Sequence, residues 1–158
     1  MSLINDILRA NQAYAKDFAE GDLPAPPAKQ LVVLTCMDAR LTPEDFLGLD
    51  LGDAHILRNA GAVVTDDVLR SLLLSTQLMR TRHVFVIGHT GCALDGANED
   101  GLRAKTHADD VVFHAFDDLD EHVQAQVAKI ESSRLIPNEV IAHGFVYQVE
   151  DGRLRQVV

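Results

Sequence analysis

The hydrophobic pattern opens at helical spacing. Ile4, Ile7, Leu8, Asn11, Tyr14 and Phe18 fall on one stripe, with Asp6, Lys16 and Glu20 largely off it, which predicts an amphipathic helix over residues 2–20. Gly21 to Pro27 contains Pro24, Pro26 and Pro27 and cannot continue that helix, so it reads as an extended connector. A helix set apart by such an arm must bury its stripe against its own domain or against a partner subunit. The pattern then changes to short apolar runs alternating with helical ones. Leu31 to Cys36, His55 to Ala60 and His83 to Gly88 read as strands. Between the first two, Thr42 is placed to cap a short helix with Pro43 at its first position. Between the second and third, Thr65 caps a helix running to about Met79, with Asp66 and Asp67 at its positive end. A polar Gly/Asn/Asp loop follows. Val112, Phe116, Leu119, Val123, Val127 and Ile130 then predict a long helix over 109–132. Val140 to Tyr147, Asp151-Gly152 and Leu154 to Val158 read as a closing hairpin.

Strands alternating with helices imply an α/β fold with a mostly parallel central β-sheet flanked by helices. The hairpin becomes an antiparallel edge, and residues 1–27 an N-terminal helical arm outside a single domain spanning 28–158. In such sheets, sites form beyond the carboxyl ends of the strands. That rule selects the loops after Cys36, Ala60 and Gly88. Asp109, Asp110, Asp117, Asp118, Asp120 and Glu121 read as a solvated helix face.

Composition narrows the function. The chain of 158 residues suits one compact domain. It has 14 Lys plus Arg against 24 Asp plus Glu, a formal net charge of −10. That balance argues against nucleic acid, which needs a basic face, and against docking on an anionic membrane. No stretch approaches the roughly 20 apolar residues of a membrane span, and no secretory signal is evident. Two cysteines in such a chain are expected to be reduced thiols or metal ligands in the cytoplasm.

Both cysteines stand in the selected loops. The first strand ends in Cys36-Met37-Asp38-Ala39-Arg40 and the third in Gly88-His89-Thr90-Gly91-Cys92. A His-x-x-Cys turn can place an imidazole nitrogen and a thiolate around one ion, and Cys36 could complete the set. Two thiolates and an imidazole suit zinc better than magnesium or calcium, and leave one tetrahedral position open as catalytic sites do. Taken singly, each cysteine also reads as a small core residue, and the two could instead form a redox disulfide, although no Cys-x-x-Cys is present. Asp38 and Arg40 follow Cys36 at spacings of two, so an extended segment would point all three the same way. Arg40 could then hold Asp38 bidentately, ionised and oriented toward the metal site. The plainer reading of that pair is a surface ion pair.

Cys36-x-Asp38-x-Arg40 followed by His89-x-x-Cys92 resembles the β-class carbonic anhydrases. So do Gly-Asp-Ala-His (52–55), Arg-Asn-Ala-Gly (58–61), Asp-Asp-Val-Leu-Arg-Ser (66–71), Ser-Ser-Arg-Leu-Ile-Pro (132–137) and the His-Gly-Phe-Val-Tyr tail from 143. The resemblance, to the short prokaryotic type, runs from Leu31 nearly to the C-terminus. It implies a zinc lyase that interconverts carbon dioxide and bicarbonate. Cys36, His89 and Cys92 would ligate one Zn²⁺ per chain, Asp38 and Arg40 would form a catalytic orienting pair, and Gly61 would contact substrate. It further implies a homodimer or higher homo-oligomer, with the helix of residues 1–27 laid across the partner. In some members the aspartate itself moves onto the metal at lower pH, and Asp38 stands where that could happen.

Three positions depart from the family pattern. Ala93 follows Cys92 where many members carry glycine, so a positive φ would be strained there. Pro27 stands where plant-type members place a substrate-contacting glutamine, with Gln30 only nearby. Residues 94–107 match no motif. His55, His107 and His114 are candidate proton shuttles, though each also reads as a solvated or packing histidine. Competing readings are a hydrolase for carbon disulfide or another linear heterocumulene, a non-catalytic zinc-binding module, and a Cys36–Cys92 thiol switch.

Overall fold

The computed structural model describes residues 2–158. Helix α1 spans Leu3–Lys16, capped by the Ser2 hydroxyl, which accepts the Asn5 N–H. Strands β1 (Leu31–Cys36), β2 (Ala54–Asn59), β3 (His83–His89), β4 (Ile141–Tyr147) and β5 (Leu154–Gln156) form one sheet in the order β2-β1-β3-β4-β5. All neighbours are parallel except β4 and β5. All six residues of β1 are buried, as its unbroken apolar run requires of a central strand.

Helices α3 (Asp66–Gln77) and α5 (Leu119–Glu131) cover one face. Val68, Leu72, Val123, Val127 and Ile130 meet Val32, Leu34, Val84, Val86 and Ala142 there. The approach of α5 is close. A Cβ at Gly88 or Gly144 would fall 2.7 Å from a Val123 methyl, so only glycine lets this helix lie so near β3 and β4. The other face carries α2 (Pro43–Leu47), where Phe46 stacks on Tyr147 with ring centroids 4.3 Å apart.

Several expected boundaries move. Helix α1 stops at Lys16 rather than residue 20. The helix expected over 109–132 begins only at Leu119, because Asp118 caps it by accepting the Glu121 N–H. The polar stretch before it contains an unforeseen helix, α4 (Glu99–Thr106), capped by Asn98. The acidic cluster is therefore not one helix face. Asp118 is a cap, and Asp120 makes two bonds of 2.7 and 2.8 Å to Arg155 on β5. Thr65 caps α3 as expected, whereas the Thr42 side chain makes no capping bond to α2.

Candidate metal centre

The chain passes from β1 to β2 on one side and then to β3 on the other, so strand order reverses at β1 and leaves a crevice beyond the ends of β1 and β3. Cys36 ends β1 and His89 ends β3. The next turn, in which Gly91 takes the left-handed conformation at φ +63°, brings Cys92 back to them. The ligand atoms of Cys36, His89 and Cys92 lie within 4.8 Å of one another, and all three residues are buried.

The imidazole of His89 is oriented for coordination. Its Nδ1 lies 2.8 Å from the Thr90 carbonyl, which can only accept, so Nδ1 carries the hydrogen. That leaves a lone pair on Nε2, which is buried without a hydrogen-bond partner. Buried polar atoms are rarely left so, and an orphan nitrogen between two thiols is what a metal ligand looks like. Two thiolates so close repel one another. The hydrogen bond from Cys92 is the main influence holding the Cys36 thiol well below its ordinary pKa, and the same bond pushes Cys92 up. Burial disfavours charge on His89, but Cys36 and the Thr90 carbonyl outweigh it and raise its pKa. The pocket thus favours positive charge, and a divalent cation would let both thiols ionise together. The donor set fits zinc.

Asp38 and Arg40 reach this site by a different route from the extended segment expected. The strand stops at Cys36, and Asp38 starts a turn in which its Oδ1 accepts the Arg40 backbone N–H at 2.9 Å. The Arg40 side chain closes on the same carboxylate, Nε to Oδ1 at 2.9 Å and Nη2 to Oδ2 at 2.7 Å, and also donates to the Gly91 carbonyl. This guanidinium is the main reason Asp38 lies well below the usual carboxylate range. Asp38 Oδ2 is 3.9 Å from His89 Nε2, so the carboxylate borders the donor set.

A cavity of about 140 Å³ opens on the site, walled by Cys36, Met37, Asp38, Ala60, Gly61, Cys92, Ala93 and Leu94. Larger concavities lie along β2 and beneath α1, but neither contains the cysteine–histidine set. Gly61 has φ +81°, and a Cβ there would sit 2.9 Å from Leu94 Cδ1. Its N–H donates to Cys36 Sγ at 3.4 Å.

A sequence model of the carbonic anhydrase family matches residues 31–132, which include every residue of this site. β-Carbonic anhydrase 1 of Mycobacterium tuberculosis H37Rv is 35% identical over 162 aligned positions, covering 99% of both chains. This chain belongs to the β-carbonic anhydrase family. A solved carbonic anhydrase from Streptococcus mutans superposes with a TM-score of 0.92 at 40% identity, covering 100% of this chain and 99% of that one. A carbon disulfide hydrolase of Acidithiobacillus thiooxidans is also similar, 32% identical over 82% of this chain and 78% of its own.

Within this β-carbonic anhydrase frame, the departures resolve in part. Ala93 is not among the residues with positive φ, since Gly91 makes the turn. Gln30 stands at the opposite end of β1, where its carbonyl accepts from Arg82 and His83. His55 bonds Ser75 near the start of β2, and His107 caps α4 at its C-terminus. Two contributors were given no role by the sequence reading, although Arg58 belongs to one of the quoted motifs. Arg58 donates to the carbonyls of Cys36 and Asp38 at 3.0 and 2.7 Å. His122 lies 2.8 Å from the Gly61 carbonyl. Both act on backbone oxygens 20 or more residues away, for which a sequence carries no spacing signal.

Proposed function

We propose that this chain catalyses the reversible hydration of carbon dioxide with one zinc ion held by Cys36, His89 and Cys92. The observation that carries the reading is the buried, unpartnered His89 Nε2 between two thiols, beside an aspartate locked by Arg40. Zinc, when bound, supplies the Lewis acidity that makes water a nucleophile near neutral pH.

The chain's own groups supply orientation. Asp38 Oδ1 accepts from both the backbone and Nε of Arg40, while Oδ2 accepts one bond from Arg40 and keeps lone-pair capacity on the metal side. An ionised carboxylate can only accept, so a water or hydroxide beside it must turn its hydrogen toward Asp38 and its own lone pair toward the cavity. Because Arg40 depresses its pKa, Asp38 is a poor proton acceptor at pH 7 and acts by aiming the nucleophile. Ala60, Ala93 and Leu94 give the cavity apolar walls suited to a small linear substrate. Gly61 lines the cavity beside the Cys36 thiol, and because Cys36 and His122 take its N–H and carbonyl, its contact to substrate is the close approach that a bare Cα permits. The reading requires reduced cysteines and therefore a reducing compartment such as the cytoplasm. Residues 1–27 serve as the dimerisation arm of the 28–158 catalytic domain. This is supported by the apolar stripe of α1, none of whose residues is buried.

Metal content and stopped-flow hydration of wild type and Asp38→Ala test the proposal. About one zinc per chain and a loss of roughly 100-fold in the variant, the cost of a misoriented nucleophile, are expected. Protein purified without chelator that lacks zinc would sink the metal reading, and an Asp38→Ala variant as fast as wild type would remove Asp38 from the mechanism. Carbon disulfide hydrolysis without carbon dioxide hydration would transfer the chain to the hydrolase reading.

A further inference from the structure

The segment after β2 is strained and then strapped. Gly61 and Ala62 both lie in the left-handed region, at φ +81° and +55°, although Ala62 has a Cβ. Three side chains hold the segment. Asn59 accepts the Val63 N–H at 2.9 Å and donates back to the Val63 carbonyl at 2.7 Å. Gln126 accepts the Val64 N–H at 2.9 Å. His122 donates from Nε2 to the Gly61 carbonyl at 2.8 Å, the direction being fixed because a carbonyl oxygen only accepts. His122 and Gln126 are one helical turn apart on α5, and both are buried.

The His122 ring is itself clamped. It stacks on Phe116 with centroids 4.0 Å apart and planes 16° off parallel. Burial lowers its pKa, in keeping with a neutral ring. Gly61 is therefore tied at both polar atoms, its carbonyl to His122 and its N–H to the Cys36 sulfur. The N–H and the carbonyl of Gly61 belong to different peptide planes, and with no side chain the φ and ψ between them are loosely restrained. The left-handed turn therefore keeps its shape only while both ends are held; releasing the carbonyl lets the turn relax and the N–H drift from the sulfur.

We propose that His122 is a positioning residue of the metal centre: by gripping the Gly61 carbonyl it aims the Gly61 N–H at Cys36 Sγ and sets how much electron density that thiolate gives the metal. The inference rests on the zinc reading above. An N–H donated to a thiolate draws charge from the sulfur, which leaves the metal more electrophilic. His122 does not itself line the cavity, and it reaches the site through Gly61, which does.

Cobalt(II)-substituted protein reads the thiolate directly through its sulfur-to-metal charge-transfer band. His122→Phe keeps a ring to stack on Phe116 but removes the donor, whereas His122→Gln keeps a donor near the Nε2 position. The band should move to lower energy in His122→Phe and return toward wild type in His122→Gln. Hydration by the zinc forms should follow, with a higher pH midpoint and about tenfold lower kcat at pH 7 in His122→Phe. A folded His122→Phe with the wild-type band, or His122→Gln displaced as far as His122→Phe, would overturn the proposal. If His122→Phe does not fold, ¹⁵N NMR of wild-type histidines decides: hydrogen on Nε2 of His122 supports the proposal and hydrogen on Nδ1 ends it. A band that responds to His122 in a protein that hydrates no carbon dioxide would support the positioning role and overturn the activity.

Discussion

At the scale of single residues, the site depends on side chains that shape backbone as much as on the Cys36, His89 and Cys92 cluster itself. Arg58 is the clearest case. Its Nε and Nη2 take two carbonyls, of Cys36 and Asp38, that flank Met37 at the point where β1 stops. A guanidinium can bridge them because its donors form a rigid fork, and a lysine ammonium on a flexible stem cannot reproduce that geometry. Arg58→Ala should lower hydration by about tenfold, as loss of an outer partner to a metal site usually does. The stability cost should be only about 1 kcal/mol, because the side chain is exposed. Arg58→Lys should fall between. Stopped-flow rates and urea unfolding on the three proteins check this, and an Arg58→Ala enzyme with wild-type kinetics would show the fork to be dispensable. The clustering of Cys36, His89 and Cys92 was legible in the sequence because they stand at or just past strand ends that topology must bring together. Arg58 and His122 were not, because backbone carbonyls look alike in every sequence.

At the scale of elements, legibility followed burial. Strands β1 and β3 show as near-continuous apolar runs because both their faces are covered, and helix α3 shows its period because it buries one face. Helix α4 hides for the opposite reason. It has no buried residue and carries Gly101 in its interior, so it has no apolar stripe to display. Its ends and its charges hold it instead, through the Asn98 cap and the Glu99–Arg103 pair at 3.2 Å. Conversely, Val111 to Phe116 looked helical but forms the segment beside the site, where Phe113 and Phe116 pack with Leu41, Cys92 and Leu94. Glu99 binds the two together by accepting the Ala115 N–H at 2.8 Å and the Phe113 N–H at 3.1 Å. Those bonds, Ala115 first, lower its pKa below the ordinary 4.5. A carboxylate depressed by folding adds stability that is present above the ordinary pKa and lost as pH falls through the folded value. Protection of the Phe113 and Ala115 amides from hydrogen exchange, corrected for intrinsic rates, should therefore fall as pH drops below the ordinary 4.5 and through the lower folded value. Glu99→Gln should show lower protection that no longer varies over that range. Wild-type protection that stays constant across it would remove Glu99 as the strap.

At the scale of the whole molecule, α1 is the element the chain alone does not explain. Its 14 residues are near the limit for an isolated helix in water, so a helix this exposed needs packing from elsewhere. Leu3 and Ile4 are 74% and 69% exposed, Ile7, Leu8 and Tyr14 are exposed along the same helix, and Phe18, just past its end, is exposed beside Tyr14. Such a row of large apolar side chains marks an interaction surface. The sheet offers a counterpart on the face carrying α2, where Phe85 and Phe145 are half-buried and Ile141 is exposed. Exchange of arms between two copies would cover both surfaces and close under twofold symmetry, leaving no edge for further growth. Two chains of net charge −10 would repel, while the two surfaces proposed to meet are apolar. Dimerisation should therefore strengthen as salt screens the repulsion, the reverse of an interface held by ion pairs. Deleting residues 1–25 should reduce the mass seen by light scattering to that of one shortened chain and lower Tm, and the Tm of the intact protein should rise with concentration as an associating fold requires. An unchanged dimer after that deletion would place the interface elsewhere and leave the stripe of α1 without its partner.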